Sequence, residues 1–426
     1  MHKMSTQNQH THSRSAILGI QHLLSMYAGS ILVPIMIAGA LGYSAKELTY
    51  LISTDIFMCG VATFLQLKVT KQTGIGLPVV LGCAFQSVAP LSIIGAHQGS
   101  GAMFGALIAS GIYVILIAGI FSKVANFFPP IVTGSVITTI GLTLIPVAMG
   151  NMGNNVSKPT SQSMILALLT ILIILCIQKF TKGFIRSISI LIGLIGGTII
   201  AAFMGLVDTS VVTNAPWVHV PTPFYFGMPK FEITSIVMMC IIATVSMVES
   251  TGVYLALSDL TQDPLDSKRL RNGYRSEGLA VLLGGLFNTF PYTGFSQNVG
   301  LVQLSGIKTK RPIYYTAVFL IVIGLLPKFG AMAQMIPSPV LGGAMLVLFG
   351  MVALQGMQML NRVDFKNNEY NFIIAAVSIS AGVGFNDTNF FSSLPTTANM
   401  FLTNGIVIAT ITSVGLNLVF NGYQKK

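Results

Sequence analysis

Three carboxylic acids, Asp55, Glu249 and Glu277, sit inside long apolar stretches of this 426-residue chain. A charge at the centre of a bilayer costs at least about 2.5–3.5 kcal/mol, so each is a functional hypothesis by default. Glu249 is the sharpest case. It lies near the middle of Ile241-Ile-Ala-Thr-Val-Ser-Met-Val-Glu249-Ser-Thr-Gly-Val-Tyr254, and no Lys or Arg occurs between Lys230 and Lys268. Burial disfavours the charged carboxylate, so this side chain is suited to carrying a proton near neutral pH. Its neutral form donates one hydrogen bond and accepts another, which matches a ring N–H next to a carbonyl. The competing reading is a neutral carboxyl bonded to a neighbouring helix.

The other ionisable groups are more ambiguous. Glu277 follows Arg271 and Arg275, so it is either an interfacial ion pair with Arg275 or a proton relay. Asp55 lacks a local basic partner, but Ser53 and Thr54 stand ready to solvate it, which favours a structural role. His22, in Gln21-His22-Leu-Leu-Ser-Met26, is the one histidine well inside an apolar stretch, and a helix-contact role competes there with a substrate role.

These groups must be positioned by membrane elements. Hydrophobic residues make up 53% of the chain and charged residues 8%, against roughly 25% charged in soluble domains. The net charge of +11 is spread through short loops between apolar runs, which argues against a nucleic-acid binder. Cys59, Cys83, Cys176 and Cys240 lie in or beside apolar stretches without a C-x-x-C pattern, so neither disulfide framework nor zinc site is expected. His2, His10 and His12 read as a solvated tail, and no metal or cofactor is expected.

A spanning helix needs about 20 mostly apolar residues. Candidates fall at 16–40, 46–66, 77–93, 101–121, 130–149, 162–178, 184–206, 233–257, 275–290, 296–306, 311–329, 337–358, 369–386 and 400–420. The third and tenth of these fourteen are short and interrupted by Gly, Pro and polar residues. With this count, nineteen of the 23 Lys and Arg fall on the side of the termini, leaving Lys46, Lys158, Lys230 and Lys328 opposite. The positive-inside bias then predicts a multi-pass protein of the cell membrane with both termini cytoplasmic.

The run Pro130-Ile-Val-Thr-Gly134, with Gly141, resembles Pro339-Val-Leu-Gly-Gly343, with Gly350, at an offset of 209 residues. Phe85 and Phe295 each follow a small residue, Ala84 and Gly294, at an offset of 210. Two nearly equal offsets predict a seven-plus-seven repeat whose halves are inverted, with the site where the broken segments meet. The expected organisation is a tail at 1–15, a first repeat at 16–206, a connecting loop at 207–232, a second repeat at 233–420 and a tail at 421–426. If Phe85 and Phe295 face one another across a central cavity, they suit a flat aromatic ligand, since stacked rings add about 0.5–1.5 kcal/mol. Free N–H groups at the half-helix starts would supply directional donors. Plain packing is the alternative for both rings.

The stretch Asn288-Thr-Phe-Pro-Tyr-Thr-Gly-Phe-Ser-Gln297-Asn298-Val-Gly300-Leu-Val-Gln-Leu-Ser305 resembles the signature of the nucleobase–ascorbate transporters, also called nucleobase:cation symporter-2. That signature reads Gln/Glu-Asn-x-Gly, then Thr after four more residues; Ser305 replaces the Thr and keeps the hydroxyl. Gln21-His22-Leu-Leu-Ser-Met-Tyr-Ala-Gly29, Gly74-Ile-Gly-Leu-Pro-Val-Val-Leu-Gly-Cys-Ala84-Phe85 and Val248-Glu249-Ser-Thr-Gly252 extend the likeness across the chain.

The resemblance implies an all-α membrane fold of fourteen segments in two inverted repeats, split into core and gate domains with broken segments 3 and 10, and often dimeric. It implies that Glu249 contacts the nucleobase and is tied to proton coupling, and that Gln297 pairs with the ring. Phe85, Phe295 and Ala84 would flank the base, with Ser296 offering its backbone N–H and Asn298 beside it. Glu277 matches an acidic ninth-span position, and His22 a first-span His that modulates affinity. Uracil carriers tend to have Glu at the place of Gln297, and a His where this chain has Val253. Both departures favour a purine such as xanthine.

The expected function is proton-coupled symport of a purine nucleobase, xanthine first, into the cell. A uracil or urate permease of the same family is the alternative, and an anion exchanger of the same fold a more distant one, since neither broken segment contains Lys or Arg. An intramembrane enzyme would need a nucleophile with its base, or a metal set; no H-E-x-x-H, G-x-S-x-G or paired aspartates occur.

Overall fold

Proline and glycine placement decides where the apolar runs stay helical and where they break. The computed structural model describes residues 12–124, 129–156, 158–306, 308–386 and 388–422. His2 and His10, and all but a few residues of the two expected tails, lie outside the described residues.

The first half of the chain opens with α1 (His12–Leu41) and α2 (Ala45–Leu67). Gly74 and Gly76, at φ of 89° and 73°, turn the chain back into the membrane in a backbone region that residues with a Cβ avoid. The third expected segment is not a continuous helix. It consists of strand β1 (Leu81–Cys83), a 3₁₀ turn (Phe85–Ser87) and the start of α3 (Val88–Val124), which continues as the fourth segment beyond a kink at Gly99 (φ 83°, ψ 170°). Next come α4 (Pro130–Met152), α5 (Ser161–Phe180), α6 (Gly183–Ser187) and α7 (Ser189–Phe203); α8 (Ser210–Asn214) lies in the connecting loop.

The second half repeats the plan. It runs α9 (Ile233–Thr261), α10 (Ser267–Leu286), strand β2 (Tyr292–Gly294), α11 (Ser296–Ser305), α12 (Arg311–Gly324), α13 (Pro327–Gln334), α14 (Ser338–Leu360), α15 (Glu369–Gly384), α16 (Thr396–Leu402) and α17 (Gly405–Asn421). Three expected boundaries shift. The ninth segment begins at Ser267 rather than 275, because Asp266 caps it by accepting from the Arg269 N–H, and an apolar run marks only the part of a helix that leaves water. The eleventh bends by 79° between α12 and α13. The fourteenth starts at Gly405, with α16 separate from it.

Packing reproduces the inverted repeat. Helix α1 packs on α12 as α9 packs on α3, and α5 pairs with α7 as α15 pairs with α17. Helices α4 and α14, the fifth and twelfth segments, pack on each other at the centre of the gate. Small residues let these backbones approach. A Cβ on Gly111 of α3 would lie 2.8 Å from Gly278 O of α10, and one on Gly278 would lie 2.9 Å from Gly111 O. The two broken segments cross as an antiparallel strand pair, Leu81 opposite Gly294, Gly82 opposite Thr293 and Cys83 opposite Tyr292. An offset of 210 carries the Gly82–Thr293 pair onto Tyr292–Cys83, so the register obeys the repeat.

Candidate functional site

Pro78 and Pro291 lead into the two strands and lack the N–H that would continue a helix. Each strand is followed by a helical start without a side-chain cap, Ala84 before the 3₁₀ turn and Phe295 before α11. The crossing is tied by Ala84 N–H donating to Pro291 O and Phe295 N–H to Val80 O, both 2.9 Å. Half-helix starts from both repeats therefore meet beside α9, which carries Glu249.

The Glu249 carboxylate is held from both sides of the crossing. Gln86 Nε2 donates to Glu249 Oε2 and to Ser246 Oγ, each at 2.9 Å. Thr293 Oγ1 of β2 donates to the same Oε2 at 3.4 Å. Glu249 is half-buried and opens onto a narrow cleft lined by Val132, Val136 and Ile137 of α4, Val245 and Val248 of α9, and Thr410 of α17. It thus stands on the border between the core and gate groups of helices.

Gln297 is the second residue of α11, three positions past the end of β2, and is half-buried. Among the described residues it makes no hydrogen bond to Glu249, and Ser296 Oγ reaches its Oε1 at 3.4 Å. Ser296 Oγ also lies 3.3 Å from Gln355 Oε1 of α14. An amide that its neighbours do not saturate keeps a donor and an acceptor for a ligand edge. Asn298 faces away, donating to His22 O at 3.1 Å and meeting His22 Nδ1 at 3.2 Å. His22 is thereby tied to the signature segment through Asn298.

The two phenylalanines occupy different surroundings. Phe85 packs edge-on against Phe349 of α14, ring centres 5.7 Å apart. Phe295 is wedged where a Cβ on Gly29 or Gly82 would lie 2.6 or 2.5 Å from its ring. Phe85 thus lies toward the gate and Phe295 within the core group, with no ring contact between them among the described residues. Ala84 is fully buried beneath them.

The remaining acids sit behind the crossing at matching places, each eleven residues after a helix cap: Asp55 after Ser44, Glu277 after Asp266. Asp55 accepts from Tyr292 OH at 3.1 Å and lies 3.4 Å from Cys83 Sγ, so it clasps both strands, and these groups rather than Ser53 and Thr54 solvate it. Glu277 accepts from the Tyr254 phenol, itself bonded by Gln66 Nε2 at 2.6 Å. No ion pair joins it to Arg275 among the described residues. No cluster of three His, Cys, Asp or Glu able to hold a metal occurs among them either.

Gln86, Thr293, Ser250, Tyr254, Gln66 and Gln355 were not singled out from the sequence. Gln86 had a signal, as an amide next to Phe85 in an apolar run. The others meet their partners only across the fold.

The permease family profile matches residues 13–390. A xanthine permease of Bacillus subtilis is 52% identical over 96% of this chain and 94% of its own length. The uric acid permease PucK of the same organism is 51% identical over 98% and 97%. Among solved structures, the transmembrane domain of the cyanobacterial bicarbonate transporter BicA superposes with a TM-score of 0.64 at 16% identity, covering 95% of this chain and 99% of that domain, and so shares the fold. With the inverted repeat, the crossed half-helices and these likenesses together, the chain is a multi-pass membrane protein and a transporter rather than an enzyme, and it belongs to the permease family of the nucleobase–ascorbate transporters.

Proposed function

We propose that this permease imports a purine nucleobase, xanthine first, together with a proton. The observation that carries the proposal is the Glu249 carboxyl, held by Gln86 and Thr293 at the crossing and opening onto the cleft between core and gate. In this reading Glu249 carries the proton and reads one edge of the base. Gln297 pairs with a second edge, and the N–H of Ser296 meets a carbonyl. Phe85, Phe295 and Ala84 shape the apolar walls, Asn298 and His22 fix the start of α11, and Glu277 exchanges protons with Glu249. The core, residues 16–121 and 233–329, moves against the gate, with both termini cytoplasmic and two copies pairing in the membrane.

Urate is the second reading, because the uric acid permease PucK matches this chain almost as closely as the xanthine permease does. Labelled xanthine uptake, with unlabelled xanthine, urate, guanine and uracil as competitors, separates the two. Xanthine is expected to compete best and an uncoupler to abolish accumulation. Uncoupler-insensitive accumulation would remove the proton, and stronger inhibition by urate would reassign the substrate. Glu249→Gln is expected to end accumulation, and normal active uptake by that variant would discard its role.

A further inference from the structure

One polar side chain of the gate reaches the start of α11. Gln355 of α14 places its amide Oε1 3.3 Å from Ser296 Oγ, and Gln297 Oε1 lies 3.4 Å from the same hydroxyl. That hydroxyl has one proton to give, so the two amide carbonyls share a single donor. Among the described residues no hydrogen bond reaches the NH2 group of either amide. Gln355 is half-buried, and among the described residues no other side-chain hydrogen bond joins core to gate.

The face of α14 that carries Gln355 turns toward the crossing. Phe349 packs on Phe85, ring centres 5.7 Å apart, and a Cβ on Gly252 of α9 would lie 3.8 Å from Met359 Cε. At 3.6 residues per turn, Phe349, Gln355 and Met359 fall within about 120° of one another. Their partners belong to the first broken segment, to the Glu249 helix and to the second broken segment. This stripe of α14 therefore covers the place where the half-helices meet. Gln355 is its polar member. A stripe that served packing alone would be apolar throughout, because burying an amide without partners is costly.

The proposed substrate leaves a group for this amide to meet. Glu249, Gln297 and the Ser296 N–H match N–H and carbonyl groups of a six-membered ring. A purine carries in addition a five-membered ring with one N–H and one bare nitrogen, and an amide meets the first with its carbonyl or the second with its NH2. We infer that Gln355 is a specificity-determining residue supplied by the gate, whose amide hydrogen-bonds an imidazole nitrogen of the bound base. This rests on the purine substrate proposed above and gives it a third reading group. Glu249 and Gln297 are carried by the core, so a contact from Gln355 makes recognition depend on core and gate closing on the same base.

The test is equilibrium binding of labelled xanthine to the full-length purified protein, with unlabelled xanthine, 7-deazaxanthine and 9-deazaxanthine as competitors. Each analogue replaces one imidazole nitrogen by C–H. Wild type is compared with Gln355→Met, which keeps the length of the side chain without its amide. A wild type that binds no xanthine ends the substrate reading, and this inference with it. Given xanthine binding, one analogue should bind wild type about two- to tenfold more weakly than xanthine does, the loss of one neutral hydrogen bond. Gln355→Met should bind xanthine more weakly by a similar factor and no longer tell that analogue from xanthine. A wild type that binds all three bases alike overturns the inference whatever the variant does. So does a Gln355→Met that loses all three by equal factors, since atom and amide would then act independently.

Discussion

Replacing Gln86 by Leu keeps the approximate volume and deletes the amide that holds Glu249. Gln86 Nε2 makes 2.9 Å bonds to Glu249 Oε2 and Ser246 Oγ. A hydrogen bond between neutral groups, as to the protonated Glu249 that reads the base, contributes about 0.5–1.5 kcal/mol. If that bond sets the carboxyl in place for the base, its loss should weaken substrate binding about two- to tenfold, at 1.4 kcal/mol per factor of ten. The assay is equilibrium binding of labelled xanthine to purified protein for wild type, Gln86→Leu, Glu249→Gln and the double variant. Residues that act through one bond are coupled, so the double variant should bind little worse than Glu249→Gln alone. Wild-type binding by Gln86→Leu would refute the reasoning. So would penalties that add to within about 0.3–0.5 kcal/mol, the behaviour of independent sites.

Repeat-equivalent glycines should respond oppositely. A Cβ on Gly141 would lie 2.6 Å from Phe349 O, whereas one on Gly350 meets nothing within 4 Å. Gly141→Ala should therefore lower the thermal midpoint in detergent by forcing α4 from α14, while Gly350→Ala should raise it through about 1 kcal/mol of helix propensity. Gly82→Ala would press on the Phe295 ring at 2.5 Å and should cost about 1–3 kcal/mol, seen as a lower midpoint together with weaker xanthine binding. The Arg269 guanidinium bonded to Asp263 holds that carboxyl below its usual range. A depressed acid stabilises the fold above the unfolded value of about 3.9 and stops doing so as pH falls through its folded value. The midpoint gap between wild type and Asp263→Asn should then stay constant from pH 5 to 8, at no more than about 1 kcal/mol for so exposed a pair, and close below about pH 4.

Much of the architecture was legible because membrane spans are written locally. An apolar run long enough for the bilayer shows its length in consecutive residues, and the interrupted third and tenth segments showed their prolines and glycines in the same way. The repeat offset survived into the strand register at Gly82 and Thr293. What local hydropathy left out was helix extent. α10 starts within its basic residues because Asp266 caps it, and α3 runs through two expected segments because a glycine kink does not end a helix.

The site divides along the same line. The residue types of Glu249, Gln297 and the two phenylalanines, and the signature around Gln297, are properties of short stretches and were readable as such. The partners of those residues were not. Gln86 meets Glu249 across 163 positions, and Gln66 meets Tyr254 across 188. The Phe295 ring sits where Gly29 and Gly82 of other elements leave room for it, and the Phe85 ring rests on Phe349 of α14. Hydrogen bonds between distant segments impose no periodicity on either one, so only the folded chain decides which buried amide, hydroxyl or phenol completes each acid.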